Sequence, residues 1–393
     1  MERFFLFSRN VIIKSRDNYR GNKVKIYLLN MLLIFFLNLN IVAGEESKIT
    51  EKINDPQYKS YILGDENGHV LFGENIEKKN PLASLTKMMT LLVTFDTINS
   101  GIISKTDLVP MDKESNSLGG SRIWIKTGTK LTVEELIKAT AIHSANNAAY
   151  ALAKYIGGGN VDNFVKMMNE KSKQLGLDQE ILYYTPTGLP PSMTGKKMDV
   201  GTAKGIYKLS EEALKYKNYI EIASQKKAEI LNGKIKFNNR NKLLGKDGIY
   251  GIKTGHHDAA GFNIAIASNI DDINIIYVVL GSPNENIRDE KVEKDIKEFY
   301  NDFKYEKILN KDIPIGVSRI INGEEKFVEL YPDKNIEKIY KKNGEIKLIL
   351  EVNEKIKAPI KKADTLGYFK LLLNNKIIGE GKIISKNNIS KRI

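Results

Sequence analysis

The sequence predicts an α/β (α+β) protein, with a body of helices and antiparallel strands followed by a small C-terminal all-β domain. Three observations carry that reading. Apolar runs at 61–63 and 70–72 flank an Asn67-Gly68 turn, which is hairpin patterning. Helical spacing fills the middle of the chain, and strand signals return at 248–253, 262–268 and 273–280, so strands bracket helices. From Lys307 onward the pattern changes to short alternating runs, such as Phe327-Val328-Glu329-Leu330, 346–350 and Lys376-Ile377-Ile378, typical of a separate β module.

The elements follow in order. After Pro81, the residues Leu85, Met88, Met89, Leu92 and Val93 fall on one helical stripe. Thr132-Val133-Glu134-Glu135 reads as a capping box that opens a second helix carrying Leu136, Ile137 and Ala141. Further helices fit 147–156, stopped by Gly157-Gly158-Gly159, then 162–175 before Gly176, and 199–216. A charged helix at 287–305 closes the body. The expected organisation is a leader at 1–44, a main α/β domain at 45–305, a β-rich domain at 306–388 and a tail at 389–393.

Composition narrows the function. The 393 residues include 61 Lys+Arg, 48 Asp+Glu and no Cys. The chain can build a substantial core. It has no disulfide framework, thiolate metal site or cysteine nucleophile. The formal charge is +13, but residues 1–44 hold seven Lys/Arg against two Asp/Glu, which leaves +8 on the rest. The remaining Lys are scattered without an Arg/aromatic stripe, so nucleic acid is not the expected partner. A basic surface facing anionic wall polymer or membrane fits equally well.

Residues Arg3, Arg9, Lys14, Arg16, Arg20, Lys23 and Lys25 precede an 18-residue apolar run, Ile26 to Ala43. Ala43-Gly44 then leads into polar sequence. A basic n-region, an apolar h-region and a small-residue exit make a secretory signal. The rival is an uncleaved anchor, since the run nearly reaches the ~20 residues needed to span a bilayer. Asn30, Asn38 and Asn40 within the run weigh against permanent residence. In either case the sequence after Gly44 is expected outside the cytoplasm.

The chemistry concentrates in three motifs. In Ser84-Leu85-Thr86-Lys87, residues i and i+3 share a helix face, so the lysine reaches the serine hydroxyl. Serine needs a base, and a lysine made neutral by burial and a neighbouring cation can supply one. The motif alone is weak, because 20 Ser and 52 Lys yield about 2.6 such matches by chance. One of these, Ser224-Gln225-Lys226-Lys227, reads as a solvated helix face. In Ser144-Ala145-Asn146 a hydroxyl can relay a proton and an amide can hold a carbonyl; the plainer reading is helix capping. Lys253-Thr254-Gly255 joins carboxylate-binding side chains to a glycine that lets a ligand backbone approach an edge strand closely. Lys126-Thr127-Gly128 is a decoy, separated from it by order, since only Lys253 follows both other motifs.

In this order the three motifs are the signature of penicillin-binding proteins and class A β-lactamases. The segment Pro81-Leu82-Ala83-Ser84-Leu85-Thr86-Lys87-Met88-Met89-Thr90 resembles the nucleophile region of serine-type D-alanyl-D-alanine carboxypeptidases, the low-molecular-mass penicillin-binding proteins. So do Gly120-Ser121-Arg122, Ser144-Ala145-Asn146-Asn147-Ala148, the run from Phe164 to Asn169, Gly251-Ile252-Lys253-Thr254-Gly255 with Ala260-Gly261, and Val278-Val279-Leu280-Gly281 followed by Arg288. The similarity runs from about Lys59 to Ile384 and includes the small β domain. Two positions depart from the family pattern: His257 follows His256 where Thr is usual, and Thr185-Pro186-Thr187-Gly188-Leu189 replaces Asn-Pro-x-Gly-Leu. A C-terminal amphipathic anchoring helix is not expected, as only 387–393 follow the last strand.

The resemblance implies a penicillin-binding/β-lactamase-like catalytic domain with these roles. Ser84 is the nucleophile, Lys87 its base and Ser144 a proton relay. Asn146 holds the acyl peptide, and Lys253 and Thr254 of the Lys-Thr-Gly255 strand bind the terminal carboxylate, supported by Arg288. The backbone N–H groups of Ser84 and His256 take the oxyanion. The implied substrates are peptidoglycan stem peptides, with β-lactams as covalent inhibitors and no cofactor. No metal is expected: His143, His256, His257 and Asp258 could be imagined as ligands, but adjacent histidines in an extended segment point to opposite faces. A β-lactamase would need a Glu-activated water, and the nearest similar run, Glu229-Ile230-Leu231-Asn232, lacks a spacing residue. A catalytically inactive wall-binding protein is the remaining alternative.

Overall fold

The computed structural model describes residues 11–15 and 58–393, which fall into two units divided between Asn301 and Asp302. The expected leader lies outside the described residues, apart from Val11–Ser15, which forms a strand.

The larger unit is built on a five-stranded antiparallel sheet. Its strands are β1 (Ser60–Asp65), β2 (Val70–Glu74), β3 (Ile249–His257), β4 (Gly261–Ile270) and β5 (Ile273–Ser282), in the spatial order β3-β4-β5-β1-β2. The first and last strands of this sheet in chain order therefore lie side by side at its centre, where Val278 pairs with Ile62. The edge strand β3 is the one that carries Lys253-Thr254-Gly255. It continues past the expected end at Lys253, with Lys253 opposite Ala265 and His256 opposite Phe262.

The first long helix, α1 (Thr86–Asn99), departs from the amphipathic stripe read in the sequence. Every residue from Thr86 to Phe95 is buried. A helix can sit in the core all round only if its polar side chains find partners. Here Thr94 and Thr97 donate to the carbonyls of Thr90 and Val93 one turn back, each at 2.7 Å, and Thr90 donates to Pro186 O at 2.7 Å. Around it pack α2 (Val133–Ala141), α3 (Asn146–Ile156), α4 (Val161–Gln174) and α5 (Ala203–Leu214), with α6 (Glu285–Asp302) closing the unit. The capping box of α2 is present: Glu135 N donates to Thr132 Oγ1 at 3.1 Å and Thr132 N to Glu135 Oε2 at 2.9 Å.

Three sequence expectations are corrected. The helix read over 199–216 begins only at Ala203, capped by the Thr202 side chain, because Asp199 is drawn into the interior instead. The closing helix ends at Asp302, where Phe303–Leu309 turns to strand. Ser224-Gln225-Lys226-Lys227 is no helix face: Ser224 ends a short helix and Lys227 opens the strand Lys227–Ile230.

The smaller unit is all β. Its seven-stranded sheet has the order Val11–Ser15, Ile346–Val352, Thr365–Leu373, Lys376–Ile384, Phe327–Pro332, Gly316–Ile321, Ile356–Lys357. Phe303–Leu309 pairs separately with Ile336–Lys341. Its core is apolar, centred on Leu330, Leu350, Phe369, Leu371 and Ile383. No helix among the described residues is long and apolar enough to cross a membrane.

Candidate active site

Ser84 sits in a single 3-10 turn, Ala83–Leu85, that runs directly into α1. Ala83 is held at φ +47°, a left-handed conformation that costs a residue with a Cβ. The surroundings enforce it. Asn263, fully buried on β4, donates from Nδ2 to Pro81 O (3.0 Å) and Leu82 O (3.1 Å), and its Oδ1 accepts from Gly281 N (2.8 Å). One amide thus bolts the turn to the sheet. Two glycines supply clearance. A Cβ on Gly188 would lie 1.8 Å from Ala83 O, and one on Gly255 would lie 3.0 Å from Ser84 N. Gly255 therefore lets the edge strand lie against the Ser84 turn, a neighbour different from the ligand backbone expected from the sequence.

Lys87 is completely buried at the start of α1, one turn on from Ser84. Its Nζ lies 2.9 Å from Ser84 Oγ, 2.7 Å from Asn146 Oδ1 and 2.6 Å from Thr187 O. Burial, reinforced by the Lys253 charge and opposed by Asp199, holds its pKa well below the ordinary lysine value. A neutral amine has two N–H donors and one lone pair. The two fixed carbonyl acceptors take the donors, which turns the lone pair toward the Ser84 hydroxyl. The Thr-Pro-Thr-Gly loop thus contributes a backbone carbonyl that orients the Lys87 amine.

Ser144 and Asn146 end the connection between α2 and α3. The N-cap of α3 is Ala145 and has no side-chain cap, so neither Ser144 nor Asn146 caps the helix. Ser144 adopts φ +62°, and its buried Oγ has no hydrogen-bond partner. A strained backbone holding an unpartnered buried hydroxyl is costly unless a ligand uses it. Asn146 spends Oδ1 on Lys87 and one Nδ2 proton on Gly119 O at 2.8 Å. The second Nδ2 proton is left for a ligand carbonyl.

Lys253 is buried, with its Nζ donating to Thr254 O at 3.0 Å. Burial first, then the Arg240 and Arg288 charges, push its pKa down to about 7. Arg288, on α6, is buried and held by Asp289 through Nε (2.8 Å) and Nη2 (2.6 Å), with Nη1 3.4 Å from Asn263 O. It reaches the site through its field, not through an observed contact with Lys253. The His256 ring is exposed and stacks on Phe262 at 3.8 Å. His257 points its Nδ1 at Ala260 N (3.1 Å), while His143 packs on Phe237.

Two groups escaped the sequence reading. Arg240 donates from Nη2 to Ser121 Oγ at 3.2 Å and lowers the Lys253 pKa. Asp199, pushed up to about 6 by burial, gathers Tyr184 N, Thr185 N, Thr185 Oγ1 and Thr86 Oγ1 around its carboxylate. It ties the loop that carries Thr187 to the start of α1. Their signals, an Asn-Arg-Asn turn and a lone Asp before a helix, are common in any sequence. The decoy Lys126-Thr127-Gly128 is exposed in a turn, and Glu229 sits exposed in a hairpin, 3.8 Å from Lys236.

Comparison with known proteins gives the family. Residues 47–284 match the D-alanyl-D-alanine carboxypeptidase family model, and 303–391 match the C-terminal domain of penicillin-binding protein 5. The D-alanyl-D-alanine carboxypeptidase DacF of Bacillus subtilis is 27% identical over 93% of this chain and 95% of its own length. DacA of Haemophilus influenzae is 30% identical over 91% and 92%. The crystal structure of penicillin-binding protein 5 from Haemophilus influenzae superposes with a TM-score of 0.66, at 28% identity, over 85% of this chain and 98% of that one. The Ser84 hydroxyl and the buried Lys87 amine therefore stand in a family context that spans nearly the whole sequence: the chain belongs to the D-alanyl-D-alanine carboxypeptidase family.

Proposed function

We propose that Ser84 and Lys87 carry out serine D-alanyl-D-alanine carboxypeptidase chemistry on the stem peptides of peptidoglycan. The carrying observation is the fully buried Lys87 amine, 2.9 Å from Ser84 Oγ and oriented by Asn146 and Thr187. Lys87 takes the Ser84 proton as Oγ attacks the penultimate D-Ala carbonyl. The oxyanion forms between the backbone N–H groups of Ser84 and His256. Ser144 passes a proton to the departing D-Ala nitrogen, and the remaining acyl chain is held by the free Asn146 amide proton. Lys253 and Thr254 bind the terminal carboxylate, with Arg240 and Arg288 adding positive field. Water then hydrolyses the ester. β-Lactams acylate the same hydroxyl, and the exposed position of Glu229 gives no support to a β-lactamase-type deacylation. The protein acts outside the cytoplasm, delivered by the leader at 1–44, and attraction of its +8 body to wall polymer or anionic lipid is weak and salt-sensitive.

The test is release of D-Ala from diacetyl-L-Lys-D-Ala-D-Ala. The wild type releases it with multiple turnovers, and Ser84→Ala releases none. D-Ala release by Ser84→Ala overturns the assignment.

A further inference from the structure

The chain contains one tryptophan, Trp124. It is 77% exposed, an unusual position for the largest apolar side chain. Its surroundings are built, not loose. The Arg122 guanidinium lies over the indole, 3.9 Å from the ring centroid, and its Nη1 reaches Asn116 O (3.4 Å) and Leu118 O (3.5 Å). Between the two, Ile123 is buried and fixed through both backbone groups: its N donates to Asn147 Oδ1 at 3.1 Å, and its O accepts from Asn147 Nδ2 at 2.9 Å. Asn147 is fully buried and adjoins Asn146, whose own amide contacts Gly119 O and whose N donates to Ser121 O at 2.7 Å. The segment from Gly119 to Trp124 is thus one continuous wall, running from the residue that faces the acyl peptide to an exposed, pre-positioned ring.

We infer that Trp124 and Arg122 form a carbohydrate platform that receives the glycan strand from which the stem peptide hangs. This rests on the activity proposed above, which places a sugar polymer beside the site. A flat indole offers a face to the C–H side of a pyranose, and a guanidinium has N–H donors for hydroxyl, acetamido and carboxyl oxygens. The stack on Arg122 fixes the ring before binding, so little rotamer freedom is lost when the sugar arrives. A membrane-dipping loop would need several exposed apolar anchors. In this loop Trp124 stands beside exposed Lys126, Thr127 and Gly128, while Ile123 is buried, so a sugar fits better than a bilayer.

The experiment compares wild type with Trp124→Ala on two substrates, and titrates the wild type by fluorescence. On polymeric peptidoglycan the variant loses about five- to tenfold in kcat/KM, mainly through KM. On diacetyl-L-Lys-D-Ala-D-Ala it is unchanged. Because Trp124 is the sole tryptophan, an N-acetylglucosamine tetramer shifts the wild-type emission saturably. Equal losses on both substrates, no loss on either, or an emission shift with anionic vesicles but not with the tetramer overturns the proposal. Absence of D-Ala release from the small peptide by wild type refutes the activity instead, while the fluorescence titration still decides whether the platform binds sugar.

Discussion

The two units differ most in what they bury. The larger one keeps Lys87, Lys253, Arg288, Asp199, Asn146 and Ser144 away from solvent. In the smaller one the described buried polar side chain is Ser385, and ion pairs such as Lys307–Glu337, Lys370–Glu351 and Lys386–Asp312 stay at the surface. Both have apolar cores, so apolar packing alone does not distinguish them. Burying a charge is expensive unless its chemistry is used or its partners are complete. The concentration of such groups around Ser84, and their absence from the described β unit, marks where stability has been exchanged for reactivity.

That contrast breaks first at Lys87. Lys87→Ala removes the base and is expected to lower Ser84 acylation by about 10³–10⁴-fold, measured as the rate of fluorescent-penicillin labelling. A loss below tenfold would mean that Lys87 is not the base.

Lys253→Met comes next, with an expected loss of about 10²-fold in kcat/KM on the peptide, as a charge-assisted carboxylate contact disappears. It also has a pH signature. In the proposed mechanism Lys87 acts as the neutral amine, so acylation is expected to rise with pH through its lowered pKa. The Lys253 charge is one cause of that lowering, so Lys253→Met shifts the rising limb to higher pH. In wild type, KM for the peptide increases as pH passes upward through about 7, where Lys253 loses its proton. An unshifted rising limb in Lys253→Met would separate the two lysines electrostatically.

A thermodynamic consequence follows from the same burial. Between about 7 and the ordinary lysine value, Lys253 is neutral when folded and protonated when unfolded. The unfolded state then binds more protons, so stability rises with pH across that window, by up to about 1.4 kcal/mol per pH unit for one group. Lys253→Met flattens this slope for the larger unit, as read by denaturant unfolding at several pH values. An unchanged slope would show that Lys253 is not buried in solution.

The smallest effect on activity is expected from the β unit. Phe369→Ala empties a fully buried position there and costs about 3–5 kcal/mol of that unit's stability. At 25 °C it leaves the labelling rate of Ser84 within about twofold. A parallel fall in labelling would mean that the chemistry depends on the β unit after all.

The sequence is most legible where local rules suffice. The Thr132/Glu135 capping box and the Asn67-Gly68 hairpin depend on residues a few positions apart, and both form as read. The order of the three motifs places Ser84, Lys87, Asn146 and the Lys-Thr-Gly strand around one turn. Local rules fail where partners are distant. Asp199 reads as a helix start but serves Thr86, 113 residues earlier. Asn263 and Arg240 look ordinary until the sheet and the loop meet Pro81 and Ser121. The all-round burial of α1 is hidden because its threonines look polar, and only the fold reveals that the hydroxyls of Thr90, Thr94 and Thr97 are satisfied by backbone carbonyls and that of Thr86 by Asp199.

The central claim is that one hydroxyl, Ser84 Oγ, becomes covalently bonded with Lys87 as its base. Intact-protein mass spectrometry after benzylpenicillin, followed by peptide mapping, tests it directly. The account predicts a single penicilloyl adduct on the peptide containing Ser84, none on Ser84→Ala, and little on Lys87→Ala over the same time. An adduct mapped to Ser144 or elsewhere, or full labelling of Ser84→Ala, would contradict it.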